Sequence, residues 1–94
     1  MNLKRDWELK IREKVYKALD RLPIKDRRRV IEVIERLLLN PYAGDIEKMR
    51  GEENVWRRRV GAYRIFYEIR VQEKVIYVFR LDRRTSKTYR ERKI

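Results

Sequence analysis

The stretch from Val55 to Val71 constrains the fold more than any other part of the chain. It alternates with the two-residue period of extended backbone, in two halves that meet at Gly61. In the first half Arg57 and Arg59 fall on one face, with Trp56, Arg58 and Val60 on the other. In the second half Tyr63, Ile65, Tyr67 and Ile69 share a face, opposite Arg64, Phe66, Glu68 and Arg70. Three or four arginines on one sheet surface repel one another, and a polyanionic partner is the usual reason to keep them.

The rest of the composition supports that reading. The chain has 94 residues, with 27 Lys plus Arg against 15 Asp plus Glu, for a formal net charge of +12. Ion-pair networks of a heat-stable protein would explain why 45% of the residues are charged, but pairs need equal numbers. The excess points to nucleic acid or an acidic partner protein. There is no cysteine and no histidine, and the carboxylates are scattered. Disulfides and thiolate sites are therefore excluded, no metal site is expected, and no cofactor is implied. No run approaches the ~20 apolar residues of a membrane span. The charged start, Met1 to Trp7, lacks the apolar region of a secretion signal, so a cytoplasmic protein is expected.

Taken in order, the chain reads as one domain over 1–94. Trp7 to Ile11 alternates as a strand, with Trp7, Leu9 and Ile11 inward. From Glu13 the spacing of Val15, Ala18, Leu19 and Leu22 is helical, and Pro23 ends the segment. Ile24 to Asn40 forms a second helix with Asp26 near its start and Val30, Ile31, Ile34, Leu37 and Leu38 on its apolar face. Asn40-Pro41 stops it. Tyr42 to Asn54 reads as a connector without sustained period. Strands at 55–60 and 62–71 follow, then a turn at Gln72-Glu73 that lacks the glycine a tight hairpin prefers. Lys74 to Asp82 is a third strand, with Val75, Tyr77, Phe79 and Leu81 on one face and Ile76 and Val78 on the other. Apolarity on both faces places it centrally in the sheet. Arg83 to Ile94 is a basic tail. The fold class is α+β in two layers: an N-terminal strand, then a helical hairpin packed on a small, mostly antiparallel sheet.

That order, with Trp56-Arg57-x-Arg59-Val60-Gly61-x-Tyr63-Arg64-Ile65-x-Tyr67-Glu68-Ile69, resembles the RelE/ParE superfamily of toxin–antitoxin toxins. The Leu22-Pro23 break, Arg50-Gly51 before the strands, and Arg84 and Tyr89 after the last strand extend the resemblance along most of the chain. It implies a toxin neutralised by a cognate acidic antitoxin. RelE-type members cut messenger RNA on the ribosome; ParE-type members share the fold and inhibit DNA gyrase. Carried over by position, the resemblance implies catalytic roles for Arg59, Arg64, Arg84 and Tyr89. It implies RNA contacts for Arg57, Arg83 and Lys87. One departure is Asp82-Arg83-Arg84, where many relatives carry a histidine, so a histidine-dependent mechanism is excluded. Another is Arg58, at a position often aliphatic in the family and expected at a sheet edge.

These residue types suit RNA cleavage without a metal. RNA carries its own nucleophile, the 2′-hydroxyl, and the enzyme must align it, stabilise charge on the phosphate and deliver a proton to the leaving oxygen. Arginine is always protonated and its planar fork matches phosphate. It is a poor general base, which leaves Tyr89 as the candidate for proton transfer or for stacking on a base. A ParE-like gyrase inhibitor and a non-catalytic nucleic-acid-binding protein are the competing readings. Trp56, Tyr63 and Tyr67 are expected in the core, and Glu68 as an ion-pair partner.

Overall fold

A computed structural model describes residues 7–83. Strand β1 (Glu8–Ile11) leads directly into helices α1 (Glu13–Asp20) and α2 (Ile24–Leu37), followed by β2 (Ile46–Lys48), β3 (Val55–Val60), β4 (Tyr63–Arg70) and β5 (Val75–Arg83). The sheet order is β1-β5-β4-β3-β2. All neighbours are antiparallel except β1 and β5, which run parallel. That parallel pair is possible because the helical hairpin supplies the long crossover such a connection needs.

Leu22 and Pro23 break the helices as expected, and Arg27 seals the junction. Its guanidinium donates to the carbonyls of Leu19, Asp20 and Leu22 at 3.1, 3.3 and 3.4 Å, satisfying acceptors that the end of α1 leaves open. The second helix ends at Leu37, three residues before the expected Asn40. Leu38 to Asn40 continue only as a tighter turn, with Leu39 and Asn40 donating back to Arg36. Val33, not Ile31, completes its inward face; Ile31 lies on the flank and is exposed.

One core holds the two layers together. Val15 and Leu19 of α1 and Val30, Val33, Ile34 and Leu37 of α2 pack on Val60, Tyr63, Ile65, Tyr67 and Ile69 and on Ile76 and Val78. Each such side chain, fully buried, contributes about 1.5–3 kcal/mol relative to exposure. Tyr67 is wholly buried, and its hydroxyl donates to the Pro41 carbonyl at 2.7 Å. Burial pushes its pKa up to about 12, against an opposing pull from Arg58.

Two expectations are corrected here. The connector contains a strand: β2 pairs with β3, matching Ile46 to Arg58, Glu47 to Arg57 and Lys48 to Trp56. Three residues are too few for a visible period, and the pairing comes from β3's open edge. The second correction concerns Leu81. A bulge between Phe66 and Tyr67 on β4 leaves Phe79 as an extra residue on β5, because Phe66 pairs with Arg80 and Tyr67 with Val78. Leu81 is thereby turned to the core, away from the face of Tyr77 and Phe79. The two-residue hairpin at Gly61 has φ +59° there and negative φ at Ala62, the pattern of a type II′ turn. The next turn lacks glycine, so Lys74 itself takes φ +60°.

Candidate nucleic-acid interface

Both helices cover one side of the sheet, and the other side carries the arginines. Register decides which residues share it, since directly paired residues point the same way. Arg57 pairs with Phe66 and Arg59 with Arg64, while Arg64 and Phe66 pair on their other side with Asp82 and Arg80. Arg57, Arg59 and Arg64 are therefore one patch. Phe66 and Val75 are buried on this side without belonging to the core. Phe79 lies 6.5 Å from Phe66 between ring centroids, and Arg80 stacks over Phe66 at 5.0 Å.

The cations on this face differ in how free they are. Arg57 pairs with Glu47 of β2. Arg59 meets Asp45 at 3.4 Å, and its backbone N–H donates to the Asp45 carbonyl at 3.0 Å. Arg80 holds Asp82 through two contacts, at 2.9 and 3.1 Å, and Arg70 holds Glu68 at 3.0 Å, the partner role expected of Glu68. Arg64 is different. It is half-buried between Arg59 and Asp82, and its Nε is buried with no hydrogen-bond partner among the described residues. A guanidinium left with an unsatisfied donor gains from an added acceptor, and a phosphate oxygen is one.

Arg58 reaches the sheet edge on the opposite side, where it donates to the Arg59 carbonyl at 3.2 Å and lies over Gly44. A Cβ on Gly44 would stand 2.7 Å from the Arg58 Cζ, and the residue has φ +95°. Gly44 therefore seats Arg58 and sets the path into Asp45.

Arg83 does not join the patch. It pairs with Tyr63 on the helix side of the sheet, and its guanidinium sits 5.9 Å from the Tyr63 ring centroid. Arg84, Lys87 and Tyr89 lie outside the described residues. Neither Tyr63 nor Tyr67 can replace Tyr89 in proton transfer. Tyr63 donates to Asp26 at 2.8 Å, and that hydrogen bond, with burial, raises its pKa. Both hydroxyls are held on the helix side. Among the described residues no group of three or more carboxylates, histidines or cysteines could hold a metal ion. No helix there is long and apolar enough to cross a membrane. Sequence reasoning missed Asp45 and Glu47. The flanking of Ile46 by two carboxylates was the available signal.

The chain is similar in sequence and fold to known proteins. The sequence model of the family described as the ParE toxin of type II toxin–antitoxin systems, parDE, matches residues 5–87. The putative toxin RelE1 of Methanocaldococcus jannaschii is 30% identical over 81 residues, which span 83% of this chain and 90% of that protein. The chain belongs to the RelE/ParE toxin family of type II toxin–antitoxin systems. Among solved structures, the archaeal RelE–RelB complex from Pyrococcus horikoshii OT3 is similar at 31% identity and TM-score 0.76, covering 86% of this chain and 98% of that one. The isolated Escherichia coli RelE toxin shares the fold, with TM-score 0.76 at 20% identity over 92% of this chain and 94% of that one.

Proposed function

We propose that this family member is a RelE-like, metal-independent endoribonuclease that cuts messenger RNA on the ribosome and is neutralised by a cognate acidic antitoxin. The observation that carries the reading is Arg64: a half-buried guanidinium with an orphaned Nε, beside Arg59 on a face that also exposes aromatic surface. A phosphodiester supplies the missing acceptor. In this reading Arg64 donates to a non-bridging oxygen of the scissile phosphate. Arg59 and Arg57 release their carboxylates to hold the flanking backbone. The 2′-hydroxyl gives its proton to solvent water as its oxygen attacks phosphorus, the bond to the 5′-oxygen breaks, and a cyclic phosphate and a 5′-hydroxyl result. Arg84 adds charge to the same phosphate, Tyr89 gives the leaving oxygen its proton, and Lys87 contacts phosphate further along the strand.

The chain has no histidine to act as a general base, so catalysis leans on charge stabilisation and on alignment of the 2′-hydroxyl. A ribosome that holds the messenger in a bent path supplies it. The antitoxin is inferred from the net charge of +12 and from the P. horikoshii relative, solved as a complex with RelB. The test is cleavage of messenger RNA by the purified chain with programmed ribosomes. Arg64→Ala should reduce the rate by about 10²–10³, the usual loss for a donor aimed at developing charge. Intact messenger with the parent protein refutes the reading.

The match to a family described as ParE toxins favours a second reading, inhibition of DNA gyrase. A supercoiling assay separates the two, since only a gyrase inhibitor blocks supercoiling without ribosomes present.

A further inference from the structure

Arg83, on the helix side of the sheet, adds to a second basic surface opposite the open face. Lys25, Arg28 and Arg29 are exposed on the first two turns of α2. Arg29 leans onto the hairpin, its Nη1 3.1 Å from where a Cβ on Gly61 would stand. Asp26, between them, is engaged by the Tyr63 hydroxyl, and Arg83 covers the Tyr63 ring. Glu32, one turn on, is paired with Arg36 at 3.8 Å. None of Lys25, Arg28, Arg29 and Arg83 has a carboxylate partner among the described residues, whereas Arg57, Arg59, Arg70 and Arg80 all do.

Arg28 and Arg29 stand four and three residues before Glu32, but that carboxylate is drawn to Arg36, so pairing along the helix leaves them uncovered. Lys25 lies three and four residues from Arg28 and Arg29, spacings at which like charges destabilise a helix. It also stands in the first turn, at the positive end of the helix dipole. Three uncovered cations on the first two turns call for an anionic partner outside the chain. The surface lacks exposed aromatic rings: Tyr63 is 6% exposed. It can grip phosphates but cannot stack on unpaired bases, in contrast to the open face, where Tyr77 and Phe79 are partly exposed.

We propose that Lys25, Arg28, Arg29 and Arg83 form a second nucleic-acid surface that binds the phosphate backbone of double-helical RNA, whose bases are turned inward. The β3–β4 hairpin then separates a single-strand face from a duplex face. This surface is independent of whether the open face cuts RNA, and binding alone tests it.

The probe is a synthetic RNA duplex of about 16 base pairs, the span over which duplex-binding proteins engage successive grooves. Its affinity for the full chain is measured from 50 to 200 mM salt, beside a single strand of the same length. Each phosphate contact contributes about 0.9 to the salt slope on a double helix, and close to an order of magnitude in affinity near 0.1 M. Lys25→Gln/Arg28→Gln/Arg29→Gln should flatten the duplex slope by about 2–3 and weaken duplex binding at least about 30-fold, with a much smaller effect on the single strand. Its melting temperature should stay level or rise, because repulsion within α2 is relieved. Arg83→Gln, on β5 rather than on α2, should flatten the slope by about 1. Unchanged duplex slope and affinity in both variants overturns the proposal, as does equal loss on duplex and single strand. An acidic protein as the true occupant would give the first of these results.

Discussion

Asp45 and Glu47 occupy the guanidinium groups that an RNA strand would need, and neutralising them tests whether the open face works as a phosphate floor. The perturbation is Asp45→Asn with Glu47→Gln, which keeps the shape and hydrogen-bonding capacity of both side chains. The size of the effect follows from exposure. The carboxylates are 62% and 65% exposed and their arginine partners 44% and 24%. Pairs this open are screened, and each contributes about 0.2–1 kcal/mol. A phosphate that displaces both carboxylates gives up that energy twice, so the masked state weakens RNA binding by roughly 0.4–2 kcal/mol. At 1.4 kcal/mol per factor of ten, the double variant should bind single-stranded RNA about two- to thirtyfold more tightly. Folding stability should fall by no more than about 1 kcal/mol per pair. Fluorescence anisotropy with a labelled oligoribonucleotide at 0.1 M salt reads the affinity. A second titration at 1 M, where the Debye length is ~3 Å, should erase most of the gain. Unchanged or weaker binding at 0.1 M would refute the reasoning, because two freed arginines on an RNA-binding face must attract phosphate more strongly.

Three further outcomes are expected. Tyr67 is neutral when protonated and its folded-state pKa, about 12, exceeds the ordinary value of 10, so its contribution is intact below pH 10 and is lost as pH rises toward 12. Urea unfolding should show roughly 2–3 kcal/mol lost over that window, and Tyr67→Phe should remove this component. Gly44→Ala should destabilise the chain by about 1–3 kcal/mol, since alanine is strained at φ +95° and the Arg58 guanidinium must shift aside; thermal unfolding with an unchanged midpoint would contradict the need for glycine there. Arg27→Ala frees the carbonyls of Leu19, Asp20 and Leu22, and should lower stability by about 1–2 kcal/mol in chemical denaturation without changing the open face.

Local pattern and tertiary pairing divide the account of this protein between them. The alternation from Trp56 to Arg70, the Leu22-Pro23 break and the Gly61 turn are written in neighbouring residues, and the α+β class, the helical hairpin and the face shared by Arg57, Arg59 and Arg64 follow from them. Burial periodicity is a short-range property, so it survives without knowledge of partners. Register, bulges and charge pairing are not. β2 exists because β3 offers it an edge, which a three-residue segment cannot announce. Phe79's bulge turns Leu81 inward after the period says outward. The excess of positive charge was plain in the composition, but its distribution was decided by the fold. Asp45 and Glu47 come from a distant segment to cover Arg59 and Arg57, Arg64 is left with an unpartnered donor, and Arg83 is carried to the helix side. Sequence alone thus determined that this is a basic sheet protein; which of its arginines are free to meet an anion depends on contacts between residues far apart in the chain, and only the tertiary structure decided that.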